Sequence, residues 1–294
     1  MSMVYSSIAF VGLIFGSFAG AQVWRLRGKQ LIEDKRVGEP YDKNELQRLA
    51  PLATKSGEMD RSRCLQCHHT LAWYDLLPLV SWLSTGGRCR YCTRFIGWFE
   101  PLIELGMAAL FFASTMIFLP QITSVMDGIQ LGIWLVVCIL LVILLAYDAK
   151  WFLLPDSINF SLMALAVGYA ITTLYQQHFS TESFMSLAGA LAILPGLYAA
   201  LYYYSRGAWV GFGDVKLCIG LALFVGRWDL AFLALFLANC LGALTTLPLL
   251  ATKKLTRKMQ IPFGPFLIIG TIIAVLYGKF IIDWYMSVSL GIFV

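Results

Sequence analysis

Hydrophobic positions along the chain fall into long unbroken runs, at roughly residues 4–24, 101–119, 129–147, 157–175, 184–204, 229–250 and 264–282, with a shorter run at about 214–226. A helix crossing a bilayer needs about 20 consecutive apolar residues, because no water is present to satisfy a backbone N–H or C=O. The pattern therefore predicts an all-α polytopic membrane protein of about eight transmembrane helices. The first run is followed by Arg25, Arg27 and Lys29 rather than preceded by basic residues, the reverse of a secretory signal peptide, so a retained helix is expected.

One polar stretch, residues 25–100, is long enough to form a module of its own, which divides the chain into a first helix (1–24), a loop (25–100) and a membrane body (101–294). The early part of the loop mixes charges of both signs with Gly and Pro. Only "DKNELQRLA" reads there as a short helix. The later part carries Cys64-x-x-Cys67 and Cys89-x-x-Cys92 around an aromatic-rich core, four thiols in the pattern of a tetrahedral Zn²⁺ site. Four Cys ligands leave no open position for a substrate water, so the metal is expected to be structural and to fold a module over residues 64–92 that has little core of its own.

Two other readings compete for these cysteines. Disulfides require an oxidising compartment. Attached haem, suggested by Cys64-Leu-Gln-Cys67-His68, would leave Cys89 and Cys92 idle. Cys138, Cys218 and Cys240 lie in apolar runs and read as packing residues.

Composition agrees with the membrane reading: 59% of residues are hydrophobic, 13% are charged, and mean hydropathy is +0.73. Charge then sets orientation. With an outside N-terminus and eight helices, residues 25–96 face the cytoplasm with 13 Lys+Arg, joined by Lys150, Arg206, Lys253, Lys254, Arg257 and Lys258. The opposite face keeps only Arg227 and Lys279. The net charge of +5 thus faces anionic lipid and requires no nucleic acid partner.

Against this background an acid in a membrane run calls for explanation. Asp148 ends the third run and Asp214 begins the short one, in "GFGDVKL", so both are expected at the cytoplasmic ends of their helices and at one depth. Two carboxyls brought together there cannot both ionise cheaply and would share a proton, giving one acid and one base for water attack on a peptide carbonyl. Gly211 and Gly213 would relax the backbone and admit a substrate strand, with Lys216 alongside. The alternative is that Asp214 merely starts a helix. Pro155 and Asp156 read as the break and cap of the next helix, Asp156 also being placed to hold the site in shape, and Glu104 reads as a snorkelling or helix-start residue.

In order, "GSFAGAQVWRL", the paired Cys motif around "WYDLLPLVSWL", "YDAKWFLLPDSINF", "GFGDVKL" and "IPFGPFL" resemble the type IV prepilin peptidases, membrane aspartic proteases of the GxGD type. The resemblance covers most of the chain. It implies that Asp148 and Asp214 are the catalytic pair, that the four cysteines bind zinc, and that the protein sits in the bacterial inner membrane with its site facing the cytoplasm. It also implies prepilin or pseudopilin substrates, cut after a Gly at the end of a basic leader, and N-methylation of the new N-terminus, generally Phe, from S-adenosylmethionine. Gly87, Arg88 and Glu104 are the candidates for that second activity; Arg88 stands where the family usually has Lys and cannot act as a neutral amine. Gly20, Arg27 and an insertion within 28–60 are further departures from the pattern. A protease without methyltransferase activity is one alternative. An ion-coupled transporter is another, although its acids would be expected nearer mid-membrane, between matched broken helices.

Overall fold

The computed structural model describes residues 2–53, 61–252 and 262–290. Residues 54–60 of the insertion, the loop cations Lys253, Lys254, Arg257 and Lys258, and Ile261 of "IPFGPFL" lie outside the described residues. The chain divides into two compact units, Met1–Met116 and Ile117–Val294. That division falls inside a helix, one apolar run later than the 100/101 boundary expected from hydropathy.

In the N-terminal unit α1 (Ser2–Val37) carries the first apolar run and continues well beyond it. The sequence reading ended this helix near residue 24. The extension is held by a small core of Leu31, Leu49 and Leu52, against which Trp24, Tyr41, Leu46 and Leu65 pack. Within it, Gly28 has no side chain to keep off the next segment: a Cβ there would lie 2.6 Å from the Leu49 carbonyl oxygen. The short helix expected at "DKNELQRLA" is present as α2 (Lys43–Leu49), capped by Asp42, whose carboxylate accepts from the Asn44 and Glu45 N–H groups. Arg27 pairs with Glu45 at 2.6 Å and ties α2 back to α1. Much of the insertion is therefore an ordered flank of the long first helix.

α3 (Val80–Ser84) lies in the cysteine module, and α4 (Phe99–Phe118) begins the second apolar run. α1 crosses α4 at Gly12 and Gly16, where added Cβ atoms would meet Ala108 Cα at 2.9 Å and Glu104 Cα at 2.6 Å. This close backbone approach is how small residues spaced i, i+4 join helices in lipid.

The C-terminal unit holds α5 (Val125–Trp151), α6 (Asp156–Gln176), α7 (Thr181–Leu191), α8 (Leu197–Ser205), α9 (Phe212–Val225), α10 (Trp228–Ala251) and α11 (Gly264–Leu290). α7 and α8 form one span interrupted by a π-turn over Ala192–Gly196, where Pro195 removes a ladder hydrogen bond. Seven described helices are long and apolar enough to cross a membrane. The eighth, α9, has 14 residues, about 21 Å at 1.5 Å per residue, so it is shorter than a bilayer core. α9 packs on α6, and α11 on α10 and α5. At the α10–α11 contact Gly270 approaches the Ala234 carbonyl so closely that a Cβ would lie 2.6 Å from it.

Candidate active site

Asp148 lies in the last turn of α5, and Phe152 then ends the helix in a left-handed conformation (φ 58°), its N–H donating to the Asp148 carbonyl. The turn that follows, Phe152 to Pro155, is what brings α9 close. Leu154 packs on Gly213, where a Cβ would come within 3.3 Å of the Leu154 Cβ. Asp214 is one residue further along, in the first turn of α9, and its Oδ2 accepts the Gly211 N–H at 3.3 Å. Asp214 thus caps the start of its helix and also acts electrostatically on Asp148. The two readings of this residue, helix start and partner of Asp148, are compatible.

The glycines act differently from the expectation. Gly211 has φ −75° and ψ 149°, and Gly213 is not among the residues with positive φ, so neither is needed for backbone freedom. At Gly213 the need is space, since a Cβ there would press on Leu154, whereas a Cβ on Gly211 would make an ordinary contact, 3.5 Å, with Asp214 Oδ2.

Asp148 is only 4% exposed, and its Oδ2 has no hydrogen-bond partner among the described residues. Gly264, the first residue of α11, closes over that oxygen: a Cβ at this position would lie 2.5 Å from it. Tyr198, buried in α8, is near enough to feel the charge of Asp214, and its ring meets Phe263 at 5.9 Å. Sequence reasoning missed Gly264 and Tyr198 as site residues. "IPFGPFL" was a signal for the glycine, but a tyrosine in an apolar span gives none.

Asp156 is not the cap of α6. Pro155 occupies that position without a side-chain hydrogen bond, and Asp156 is the first helical residue. Its carboxylate instead receives Lys216 Nζ at 2.7 and 2.8 Å, clamping α6 to α9 just beside Asp214. Lys216 Nζ also faces the rings of Phe160 and Phe212 at 5.5 and 5.2 Å.

In the N-terminal unit the four cysteines converge. The Sγ atoms of Cys64, Cys67, Cys89 and Cys92 all lie within 4.8 Å of one another, and no cysteine is disulfide-bonded. Zn–S bonds of about 2.3 Å at tetrahedral angles require S···S separations of about 3.8 Å, and Cys64 to Cys92 is 4.0 Å. The donor set fits a metal such as zinc.

The two halves of this site are the same small knuckle used twice. Cys64 N–H donates to His69 O and Cys89 N–H to Arg94 O; His68 and Thr93 turn the chain at φ 57° and 58°; isolated bridges pair Arg63 with Thr70 and Arg88 with Phe95. His68 is thus the turn residue of the first knuckle, with its Nε2 against Arg48 O at 2.9 Å, and the haem-like spacing is incidental to that turn. Gly87 (φ 71°) and Arg88 are built into the second knuckle.

Asp75 braces the module. Burial alone would raise its carboxyl, but hydrogen bonds from Arg90, Tyr91 and the Ala72 N–H outweigh that and hold it below the ordinary carboxylate range. Glu104 does not snorkel. It is 6% exposed, and its Oε2 accepts the Leu79 N–H at 2.8 Å.

Taken together, the helices, the buried Asp148 and half-buried Asp214 at two helix ends and the four-cysteine module describe a multi-pass membrane protein with a metal-capable domain. A family described as "Bacterial Peptidase A24 N-terminal domain" matches residues 10–118, and one described as "Type IV leader peptidase family" matches residues 135–247. Proteins named "Prepilin leader peptidase/N-methyltransferase" are similar along most of their length. The one from Bacillus subtilis (strain 168) is 32% identical, over 79% of this chain and 87% of its own. The Aeromonas hydrophila protein is 31% identical over 77% and 75%, and that of Aeromonas salmonicida (strain A449) is 28% identical over 98% and 96%. No solved structure matches the chain significantly. The chain belongs to the type IV leader peptidase family, a family of proteases.

Proposed function

We propose that this protein removes the basic leader from type IV prepilins or pseudopilins after a Gly, at the cytoplasmic face of a bacterial inner membrane, and N-methylates the residue so exposed. Family membership supports the activity. What supports the choice of residues is that Asp148, buried at the end of α5, lies near enough to Asp214 to feel its charge, with Leu154 packed on Gly213 beside them.

In this reading the pair shares one proton at neutral pH. The ionised carboxylate takes a proton from water, which attacks the scissile carbonyl, while the protonated one donates to the carbonyl oxygen and later returns its proton to the leaving amine. Gly264 keeps a side chain away from the Asp148 carboxyl, Gly213 leaves room for Leu154, and Asp156 with Lys216 holds the start of α9 against α6. A zinc ion on the four cysteines would be held as a structural ion, supplying folding energy to the module. The preponderance of basic residues in 25–96 supports a cytoplasmic site, since a basic leader and an apolar helix meet at that depth.

The test is cleavage of a prepilin by detergent-purified protein, followed by mass spectrometry of the mature N-terminus. Parent protein should release the leader and, with S-adenosylmethionine, add one methyl group; Asp148→Asn and Asp214→Asn should do neither. Full cleavage by either variant would refute the assignment of the pair.

A further inference from the structure

Hydropathy alone assigns all of residues 25–100 to water, yet one stretch of them, "LLPLVSWL" at 76–83, has a single polar side chain, that of Ser81. The stretch is far too short to cross a bilayer, which takes about 20 residues. In a water-soluble module such residues would close the core. Here Leu76, Leu77, Val80 and Leu83 all face outward, as does Trp73 just before them. An exposed apolar cluster of this kind marks a surface that something covers.

Its position identifies the cover. Trp82, in α3, is pinned to the entry of α4: its Nε1 donates to Gly97 O at 2.9 Å, and its ring meets that of Trp98 at 4.5 Å. The chain before it reaches further along α4, since the Leu79 N–H donates to Glu104 Oε2 at 2.8 Å. Glu104 follows Phe99 by five residues, about 7.5 Å into the helix at about 1.5 Å per residue. Two residues of α1 lie at the same level, Ser17, which hydrogen-bonds to Glu104, and Gly16, which abuts its Cα; both belong to the first apolar run. At this depth α4 turns Leu102 and Leu105 outward, as a spanning helix does toward lipid. Val80, the residue next to Leu79, stands beside them and is 60% exposed.

The backbone is arranged for that environment. An acid in a spanning helix needs a donor, and Leu79 supplies one by holding φ 58° and ψ −44°, a conformation rare for leucine. Backbone that dips into a leaflet must find its acceptors within the protein. Pro78 has no N–H, that of Leu79 goes to Glu104, and those of Val80, Ser81 and Leu83 go to the carbonyl oxygens of Pro78, Leu77 and Leu79. Ahead of the segment, exposed Trp73 and Tyr74 meet edge to face, and the Arg90 guanidinium lies over the Tyr74 ring at 5.2 Å. Amphipathic rings beside a cation are the chemistry of a headgroup layer.

We propose that residues 76–83 form an interfacial wedge, an apolar segment of the cysteine module that enters the leaflet beside α4 and takes lipid acyl chains as its partner. The depth set by Glu104 matches the burial of about 5–10 Å found for interfacial helices. The module is thereby seated on the bilayer rather than held in water between two helices.

The test places p-benzoylphenylalanine at Val80 of the full-length protein in vesicles of phosphatidylethanolamine and phosphatidylglycerol, with adducts identified by mass spectrometry after irradiation. The same group at Leu105, on the outward side of α4, reports contact with lipid, and at exposed Glu39 it reports contact with water. The Val80 position should capture phospholipid at the yield of the Leu105 position. A yield as low as that at Glu39 would overturn the proposal. Capture of the C-terminal unit of the chain, or of a co-reconstituted prepilin, in place of lipid would also overturn it, because the surface would then be a protein interface. If the substitution at Val80 prevents folding, as read by gel filtration, the probe goes to exposed Leu83, where capture of lipid supports the wedge and its loss overturns it.

Discussion

Gly264 opens α11 directly against Asp148, so that a single added carbon would reach within 2.5 Å of the Asp148 Oδ2. Real Cβ atoms do not sit that close, and the neighbour here is a buried carboxyl group at the end of α5 rather than a flexible surface chain. Gly264→Ala must therefore displace either α11 or the carboxylate. A misplacement of about 1 Å at a reacting group costs about 100-fold in rate. The expected outcome is that kcat for leader release falls by about that factor while helical content by circular dichroism is retained. Parental activity in Gly264→Ala would mean that Asp148 tolerates the shift.

Asp148 and Asp214 are expected to act as a unit, and units are non-additive in mutant kinetics. Each single Asn substitution should lower cleavage by about 1,000-fold or more, and the double variant should be no slower than the slower single one. Rates measured for the three variants against one prepilin decide this. Multiplying losses would indicate two independent roles rather than a shared proton.

Much of this architecture is legible from residues alone, because lipid forces one simple rule on the chain: a spanning segment must be both helical and apolar. The runs therefore appear directly in hydropathy, and the cysteine spacing directly in sequence. What escaped was set by contacts between distant segments. α1 runs on to Val37 because Leu31 finds Leu49 and Leu52, partners that no local pattern reveals. Asp156 looked like a cap since Asp is a good one, yet Lys216, 60 residues on, takes its carboxylate. Gly211 and Gly213 looked conformational because glycine so often is, whereas their φ values are ordinary and, at Gly213, the neighbour Leu154 sets the requirement.

The clamp between Asp156 and Lys216 should matter less than its geometry suggests. The two oxygens accept at 2.7 and 2.8 Å, but the Asp156 side chain is 57% exposed, and partly solvated pairs contribute about 1 kcal/mol or less. Asp156→Asn is expected to lower thermal stability by no more than that amount and to slow cleavage only a few-fold, about threefold. Lys216→Met, which keeps a long stem against Phe160 and Phe212, should behave alike. A loss of about 100-fold in either variant would move the residue from support into the chemistry.

Asp75 offers a test of the cysteine module by pH. Its carboxylate is ionised and held by Arg90, Tyr91 and the Ala72 N–H, which keep its pKa below the ordinary value of about 3.9. A group whose folded pKa is depressed contributes stability that is present above the unfolded value and lost as pH falls through the folded one. Asp75→Asn should therefore destabilise the module, by about 2 kcal/mol for hydrogen bonds to a buried charge. The gap between parent and variant, read as the temperature at which metal is released, should be constant from pH 8 down to about pH 5 and shrink below about pH 4. Protonation of the cysteine thiolates lowers stability in both proteins across acid pH, so the difference between them isolates Asp75. A gap that instead widened on acidification would show that the protonated carboxyl, as a donor, is the form the module needs.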